Sequence, residues 1–118
     1  MRNYATNVIT QDLFDLHADI CKTLASPARL RIIDALRDRE LAVSEIGEMI
    51  GARKANVSQH LAVMRRRGII VGRRSGTSVY YRLASPKVLQ ACELMRQVLI
   101  DQMTTAARLL TESEAERG

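Results

Sequence analysis

No aspartate or glutamate occurs between positions 49 and 92 of this chain, yet that stretch holds nine bases: Arg53, Lys54, Arg65, Arg66, Arg67, Arg73, Arg74, Arg82 and Lys87. All thirteen acids lie in the flanks, where nine further bases accompany them. A surface tuned only for solubility interleaves the two signs, so this segregation predicts one strongly positive face. The partner expected for such a face is a phosphate backbone. The alternative is a solvated charged face with no partner.

Other absences narrow the class further. No apolar run approaches the roughly 20 residues that a membrane span needs, and residues 1–10 have no apolar h-region of a signal peptide. Two cysteines 71 positions apart form neither a disulfide framework nor a C-x-x-C pair. The expectation is a cytoplasmic, reduced protein without a membrane partner. Signatures of catalysis are also missing: there is no Gly-rich phosphate loop, no metal-ligand cluster and no nucleophile with a local base. Ser58 and His60 stand two positions apart on a helical segment, where side chains diverge by about 200°. Neither an enzyme nor a bound cofactor or metal is expected.

What is present fits one small domain: 118 residues, 47% of them apolar, with a net charge of +5 and a pI near 9.8. A core of that size often borrows surface from a second subunit. Residues 1–9 read as a flexible arm. Thr10 then caps a first helix with Asp12 and Asp15 in its opening turn and Leu13, Leu16, Ile20 and Leu24 along one face. Ser26-Pro27 reads as cap plus first helical residue of a second helix, whose apolar face is Leu30, Ile32, Ile33 and Leu36. Leu41-Ala42-Val43 is long enough only for a strand fragment.

Ser44 caps a brief third helix through Ile46, Met49 and Ile50 that Gly51 stops. A fourth helix runs from about Arg53 to Arg67 and ends at Gly68. Short helix, tight Gly-containing connection and second helix have helix-turn-helix spacing. Ile69 to Arg74, Ser75-Gly76-Thr77 and Ser78 to Leu83 follow as two β-prone runs joined by a Gly-containing turn, a β-hairpin. Tyr80 and Tyr81 fall on opposite faces of its second strand, and one of them is expected in the core. Ser85-Pro86 opens a last helix with Val88, Cys92, Met95, Leu99, Met103, Ala106 and Leu110 at steps of four and three. At 1.5 Å per residue it is about 40 Å long, which outruns a small domain and leaves its stripe for another subunit. The domain is thus expected over residues 10–110, with residues 111–118 a charged, disordered tail. The fold class is mainly α with a β-hairpin wing, a winged helix-turn-helix that dimerises.

On the fourth helix, steps of 100° place Leu61 and Met64 beside a buried Val57 and turn Ala55, Gln59, Ala62 and Arg66 outward, flanked by Asn56 and Val63. Small residues let a helix approach the floor of a major groove, where Asn56 and Gln59 can each pair with an adenine edge. Lys54, Ser58 and His60 lie toward the sides, where phosphates run. Local capping is the competing role for Asn56, and a packed or solvent-facing ring that for His60. In the hairpin, Arg73 and Arg74 precede a tip that includes Thr77, a thin basic loop suited to a minor groove or its phosphates. The candidate DNA-binding set is therefore Lys54, Asn56, Ser58, Gln59, His60, Arg66, Arg73, Arg74 and Thr77.

Several segments in this order are similar to a known family. Leu24-Ala25-Ser26-Pro27-Ala28-Arg29-Leu30-Arg31-Ile32, Asn56-Val57-Ser58-Gln59-His60-Leu61, Gly68-Ile69-Ile70 and Gly76-Thr77-Ser78-Val79-Tyr80-Tyr81-Arg82-Leu83 resemble the ArsR/SmtB family of bacterial transcriptional repressors, across about residues 12–105. The resemblance implies a homodimer built on the first and last helices, bound to double-stranded operator DNA and released by a metal ion or other inducer. Zinc sensors of the family carry Asp and His ligands on the last helix, but this chain has no His after His60. Arsenic sensors carry Cys-Val-Cys after Glu-Leu, where this chain reads Glu40-Leu41-Ala42-Val43-Ser44. Neither metal site carries over.

Two thiols remain, Cys21 on the first helix with His17 one turn before it, and Cys92 on the last. If the family's dimer holds, those helices pack together, which makes Cys21 and Cys92 candidate sensing residues through oxidation or a sulfide-derived bridge. Two sulfurs and one imidazole are an incomplete set for zinc. Simple burial in apolar surroundings is the competing account, and the inducer itself is not specified by the residues. Against the repressor stand a winged-helix protein-interaction module, which has no use for an acid-free basic span, and a regulator with a non-thiol inducer.

Overall fold

Ser26 and Pro27 make the first corner of the structure, a computed structural model that describes residues 2–117, with side chains from residue 12 onward. Helix α1, Arg2–Leu24, ends just before Ser26, which adopts an extended backbone (φ −153°) and accepts the Arg29 N–H on its hydroxyl. Pro27 supplies the first residue of α2, Pro27–Ala35, where a missing N–H costs nothing. The expected boundary of α1 differs. It runs from Arg2, so Thr10 lies inside the helix and is not its cap. Residues 2–11 contain no Gly or Pro to interrupt a helix.

After α2 the chain forms a two-residue strand, β1, Leu41–Ala42, and then α3, Val43–Ile50, so that Ala42 is the N-cap and Ser44, expected there, lies inside the helix. Glu45 folds back to accept the Ala42 N–H at 2.9 Å, which satisfies one of the donors a helix start leaves open. Gly51 closes α3, and α4 follows as Lys54–Arg66. Strands β2, Ile70–Ser75, and β3, Ser78–Leu83, pair antiparallel with Ser75 opposite Ser78. That leaves a two-residue turn, Gly76 and Thr77, in which Gly76 alone has positive φ (63°), as a II′-type hairpin requires. β1 joins the outer side of β3, with Leu41 opposite Tyr81, giving the sheet order β1-β3-β2.

The core lies among these elements. Ile32, Ile33 and Leu36 around α2, Ile46 of α3, Val57, Leu61 and Met64 of α4, and Ile69 and Ile70 leading into β2 are fully buried. Of the positions that periodicity assigned to apolar faces, these include Ile32, Ile33 and Leu36 around α2, Ile46 of α3 and all three of α4, but none of the first- or last-helix stripes, where Leu13, Leu16, Met95, Leu99, Met103 and Leu110 are exposed. Neither tyrosine joins them: Tyr80 and Tyr81 are both half-buried. The Tyr81 ring instead lies beside Gly72 on the neighbouring strand, about where a Gly72 side chain would stand, and Tyr80 carries Arg73 on its face.

The chain divides after Pro86 into two units, the second being the long helix α5, Pro86–Arg117. It continues past Leu110, where the sequence reading ended it, through the segment expected to be a disordered tail. Ala107 accepts the Thr111 hydroxyl at 3.0 Å, and the Glu and Ala residues beyond have good helix propensity, so each added residue closes one more backbone bond. At 1.5 Å per residue its 32 residues span about 48 Å. Among the described residues no helix is long and apolar enough to cross a membrane.

One position in this framework tests the packing between the two helices of the turn. A Cβ added at Gly47 of α3 would stand 2.9 Å from the Ala52 carbonyl oxygen, a backbone atom of the connection to α4. Elsewhere in a helix Gly→Ala gains about 1 kcal/mol. Here Gly47→Ala should instead destabilise by about 1–3 kcal/mol through overpacking, read as a lower urea midpoint. An unchanged or raised midpoint would show that the connection gives way freely.

Candidate nucleic-acid interface

Helix α4 is held in one rotational setting by Val57, Leu61 and Met64, all buried. With those three inward, Lys54, Ala55, Asn56, Ser58, Gln59 and Arg66 are exposed, as steps of 100° require, whereas Ala62, expected outward, is half-buried, as is Val63. Asn56 is not a cap: the N-cap is Arg53, which offers no side-chain acceptor. The first N–H groups of α4 therefore stay open at a helix end that favours anions. Beside them is an open depression of about 410 Å³ whose charged border is Glu48, Arg53 and Lys54.

His60 is engaged inside the protein. The Arg29 Nε donates to His60 Nδ1 at 3.1 Å, and Arg29 Nη1 donates to the Thr23 carbonyl at 3.1 Å. Nδ1 is thus an acceptor, and Nε2 carries the ring's proton. At the end of α4, Arg67 pairs with Asp19 of α1 at 3.5 Å, an exposed contact of little energy by itself. The sequence reading used Arg29 only as part of a familiar motif and gave it no task.

In the hairpin the two arginines separate. Arg73 makes a forked contact to Glu40, Nε to both carboxylate oxygens at 3.1 and 3.2 Å and Nη2 to Oε1 at 3.0 Å, while its Cζ lies 5.3 Å from the centre of the Tyr80 ring. The Arg73 hydrogen bond holds the Glu40 carboxyl below its ordinary value; desolvation opposes it, and the charges of Arg73 and Arg82 add to it. The pair therefore persists at neutral pH and opens only as the pH falls through that lowered value. Arg74, opposite Val79, and Thr77 at the tip are exposed, and no carboxylate among the described residues meets Arg74. Glu40 was missed as a member of the site. Its only sequence signal is the strand fragment it precedes, since its partner lies 33 residues away.

The two thiols belong to different units. Cys21 is exposed on α1, and Cys92 is half-buried on α5, where desolvation pushes its thiol up and nearby Arg96 partly offsets that. Among the described residues no three His, Cys, Asp or Glu side chains come together as a metal site.

A short helix, a tight turn, a helix with small outward residues and an adjoining three-stranded wing define a winged helix-turn-helix DNA-binding domain. Residues 26–71 match the description "Bacterial regulatory protein, arsR family". Over 107 residues the chain is 34% identical to the HTH-type transcriptional regulator Rv0081 of Mycobacterium tuberculosis, covering 90% of this chain and 94% of that one. The crystal structure of Rv0081 superposes with a TM-score of 0.72 at 35% identity, over 80% of this chain and 96% of that one. The homodimeric winged helix-turn-helix DNA-binding domain of Mb0332 from Mycobacterium bovis, solved by NMR, gives 0.72 at 32%, over 80% and 87%. A biofilm growth-associated repressor from Xylella fastidiosa is 33% identical over 85 residues, 72% of this chain and 75% of that one. This chain belongs to the arsR family of bacterial regulators.

The two wing arginines are expected to act differently on DNA. Each phosphate neutralised contributes about 0.9 to the slope of log affinity against log salt. Arg74→Ala should lower the slope by about that amount, whereas Arg73→Ala should change it little while Glu40 is present. Glu40→Gln should raise it. Equal slope changes for Arg73→Ala and Arg74→Ala in filter-binding titrations would show that DNA displaces Glu40 from Arg73.

Proposed function

We propose that this chain is a sequence-specific transcriptional repressor that binds an inverted repeat in duplex DNA as a symmetric homodimer. The observation that carries this reading is the exposed face of α4, set beside a basic wing in a span without acids. Asn56 and Gln59 read base edges, Lys54, Ser58 and Arg66 take flanking phosphates, and Arg74 and Thr77 bring the wing to the adjoining groove. His60 and Arg73 belong to the same surface but are tethered to Arg29 and Glu40. That the Xylella fastidiosa relative is a biofilm growth-associated repressor supports the direction of control.

Dimerisation follows from apolar surface that each unit leaves uncovered. Leu13, Phe14 and Leu16 of α1 are exposed, Leu13 to 62%, and so are Met95, Leu99, Met103 and Leu110 of α5, Met103 to 70%. The homodimeric state of Mb0332 supports the same assembly. Half-sites are expected about one helical turn apart, 10–10.5 base pairs, or a multiple of it.

Selection from random duplexes followed by footprinting tests this reading. The recovered sequences should be inverted repeats, and sedimentation should give a dimer at micromolar concentration. Gln59→Ala should relax one symmetric pair of positions at about 1–3 kcal/mol per contact. A monomer, or a base preference unaltered in the variant, contradicts the dimer or the role of Gln59 respectively.

For release from the operator, the reading is thiol chemistry at Cys21 and Cys92. Exposed Cys21 meets the oxidant first and Cys92 resolves it. Joining the sulfurs releases two protons and passes two electrons to a disulfide-forming oxidant or polysulfide. A few kcal/mol of differential binding suffices to free an operator. Treatment with such an oxidant should lower operator affinity of the wild type and leave Cys21→Ser and Cys92→Ser bound, with mass spectrometry locating the bridge. Equal loss in both variants, or an unaffected wild type, assigns release to a non-thiol inducer.

A further inference from the structure

Arg29 lies outside the acid-free span and on α2, yet it touches three elements at once. Its backbone N–H bonds to the Ser26 hydroxyl at 3.3 Å, its Nη1 reaches the Thr23 carbonyl at 3.1 Å, and its Nε reaches His60 Nδ1 at 3.1 Å. Thr23 is in the last turn of α1, where carbonyls lack helical partners and a cation is favoured. His60 is in the middle of α4, between Gln59 and the buried Leu61. The guanidinium therefore links the α1–α2 corner to the recognition helix through directional bonds, which the apolar contacts of Val57, Leu61 and Met64 cannot supply.

We propose that Arg29 is a positioning residue for DNA recognition: through His60 it fixes the tilt of α4 against the α1–α2 corner, and so determines whether Asn56 and Gln59 meet base edges together. The inference rests on the operator reading above. Its chemistry is specific. The planar guanidinium holds Nε–H and Nη1–H at a fixed angle on different edges, so that one rigid group bridges two separate acceptors; an ammonium keeps the charge but has no such fixed plane. His60 acts here through Nδ1, so the link asks for an acceptor near the Cβ end of the side chain. Asn provides one at that position, while Gln carries its amide farther out, near Nε2. Base readout depends on geometry, whereas attraction to random duplex depends on charge. The two affinities should therefore separate.

The experiment measures affinity for an operator selected in vitro by the wild-type protein and for a random duplex of equal length, using Arg29→Lys, His60→Asn, His60→Gln and the Arg29→Lys/His60→Gln double variant. Losing a hydrogen bond made by a charged group corresponds to about tenfold or more. Arg29→Lys and His60→Gln should each lose about that much on the operator and nothing on the random duplex. His60→Asn should stay within about twofold of wild type, and the double variant should lose no more than either single change, since both break one link. Additive losses, equal losses on both duplexes, an Arg29→Lys protein that binds as wild type does, or a His60→Asn protein as weak as His60→Gln would each overturn the proposal. If the wild type selects no sequence over random duplex, the operator reading itself falls and the positioning role with it.

Discussion

The rotational setting of α4 is the constraint on which the rest of the surface depends. Val57, Leu61 and Met64 recur at steps of four and three, and all three are buried on a helix that packs against α3 and β2. A helix with that face inward has no choice about which residues it shows to solvent. Exchanging one outward residue for another leaves the core unaffected, so the recognition surface can vary while the fold holds. The same burial explains why the outward face can consist of small and amide side chains: its stability comes from the opposite side.

Charge is arranged on a second principle, separation, bridged where Arg67 meets Asp19 and where Arg73 meets Glu40. The span without acids leaves Lys54, Arg66 and Arg74 free of carboxylate partners among the described residues, and the field they create is not cancelled locally. Glu40, nine positions before that span, reaches back over the sheet to Arg73. The pairing of β1 with β3 brings it there. Of Arg73 and Arg74, the first is thus committed to the wing's own structure, with the ring of Tyr80 beneath it, and the second meets no carboxylate among the described residues.

Much of this was legible in the sequence because it is local. Ser26-Pro27 marks a helix start by chemistry within three residues, Gly76 marks the hairpin turn by its backbone, and the periodicity of α4 names its own buried face. Leu41-Ala42 read as a strand fragment, but nothing nearby could say that it pairs with β3. The Arg29–His60 and Arg73–Glu40 contacts span 31 and 33 residues, and no pattern within one element announces either. Tyr80 and Tyr81 were expected to divide between core and surface by alternation. Alternation gives the face, but here one face is occupied by a stacked guanidinium and the other by a ring covering a glycine. The apolar stripes of α1 and α5 were legible as stripes, while Leu13 and Met103 remain exposed because periodicity cannot say what covers them. The extents of α1 and α5 were underestimated because polar residues that carry no stripe can still propagate a helix.

The last turn of α1 joins more of the molecule than its length suggests. Asp19 receives Arg67 from the end of α4, its carbonyl accepts the Thr23 hydroxyl at 2.8 Å, and the Thr23 carbonyl receives Arg29, which holds the middle of α4. Cys21 sits between those two anchor points. Two attachments along a rigid rod fix its direction as well as its place. The winged domain is in this respect braced: α4 is held at its middle and at its C-terminal end by the closing residues of a different helix.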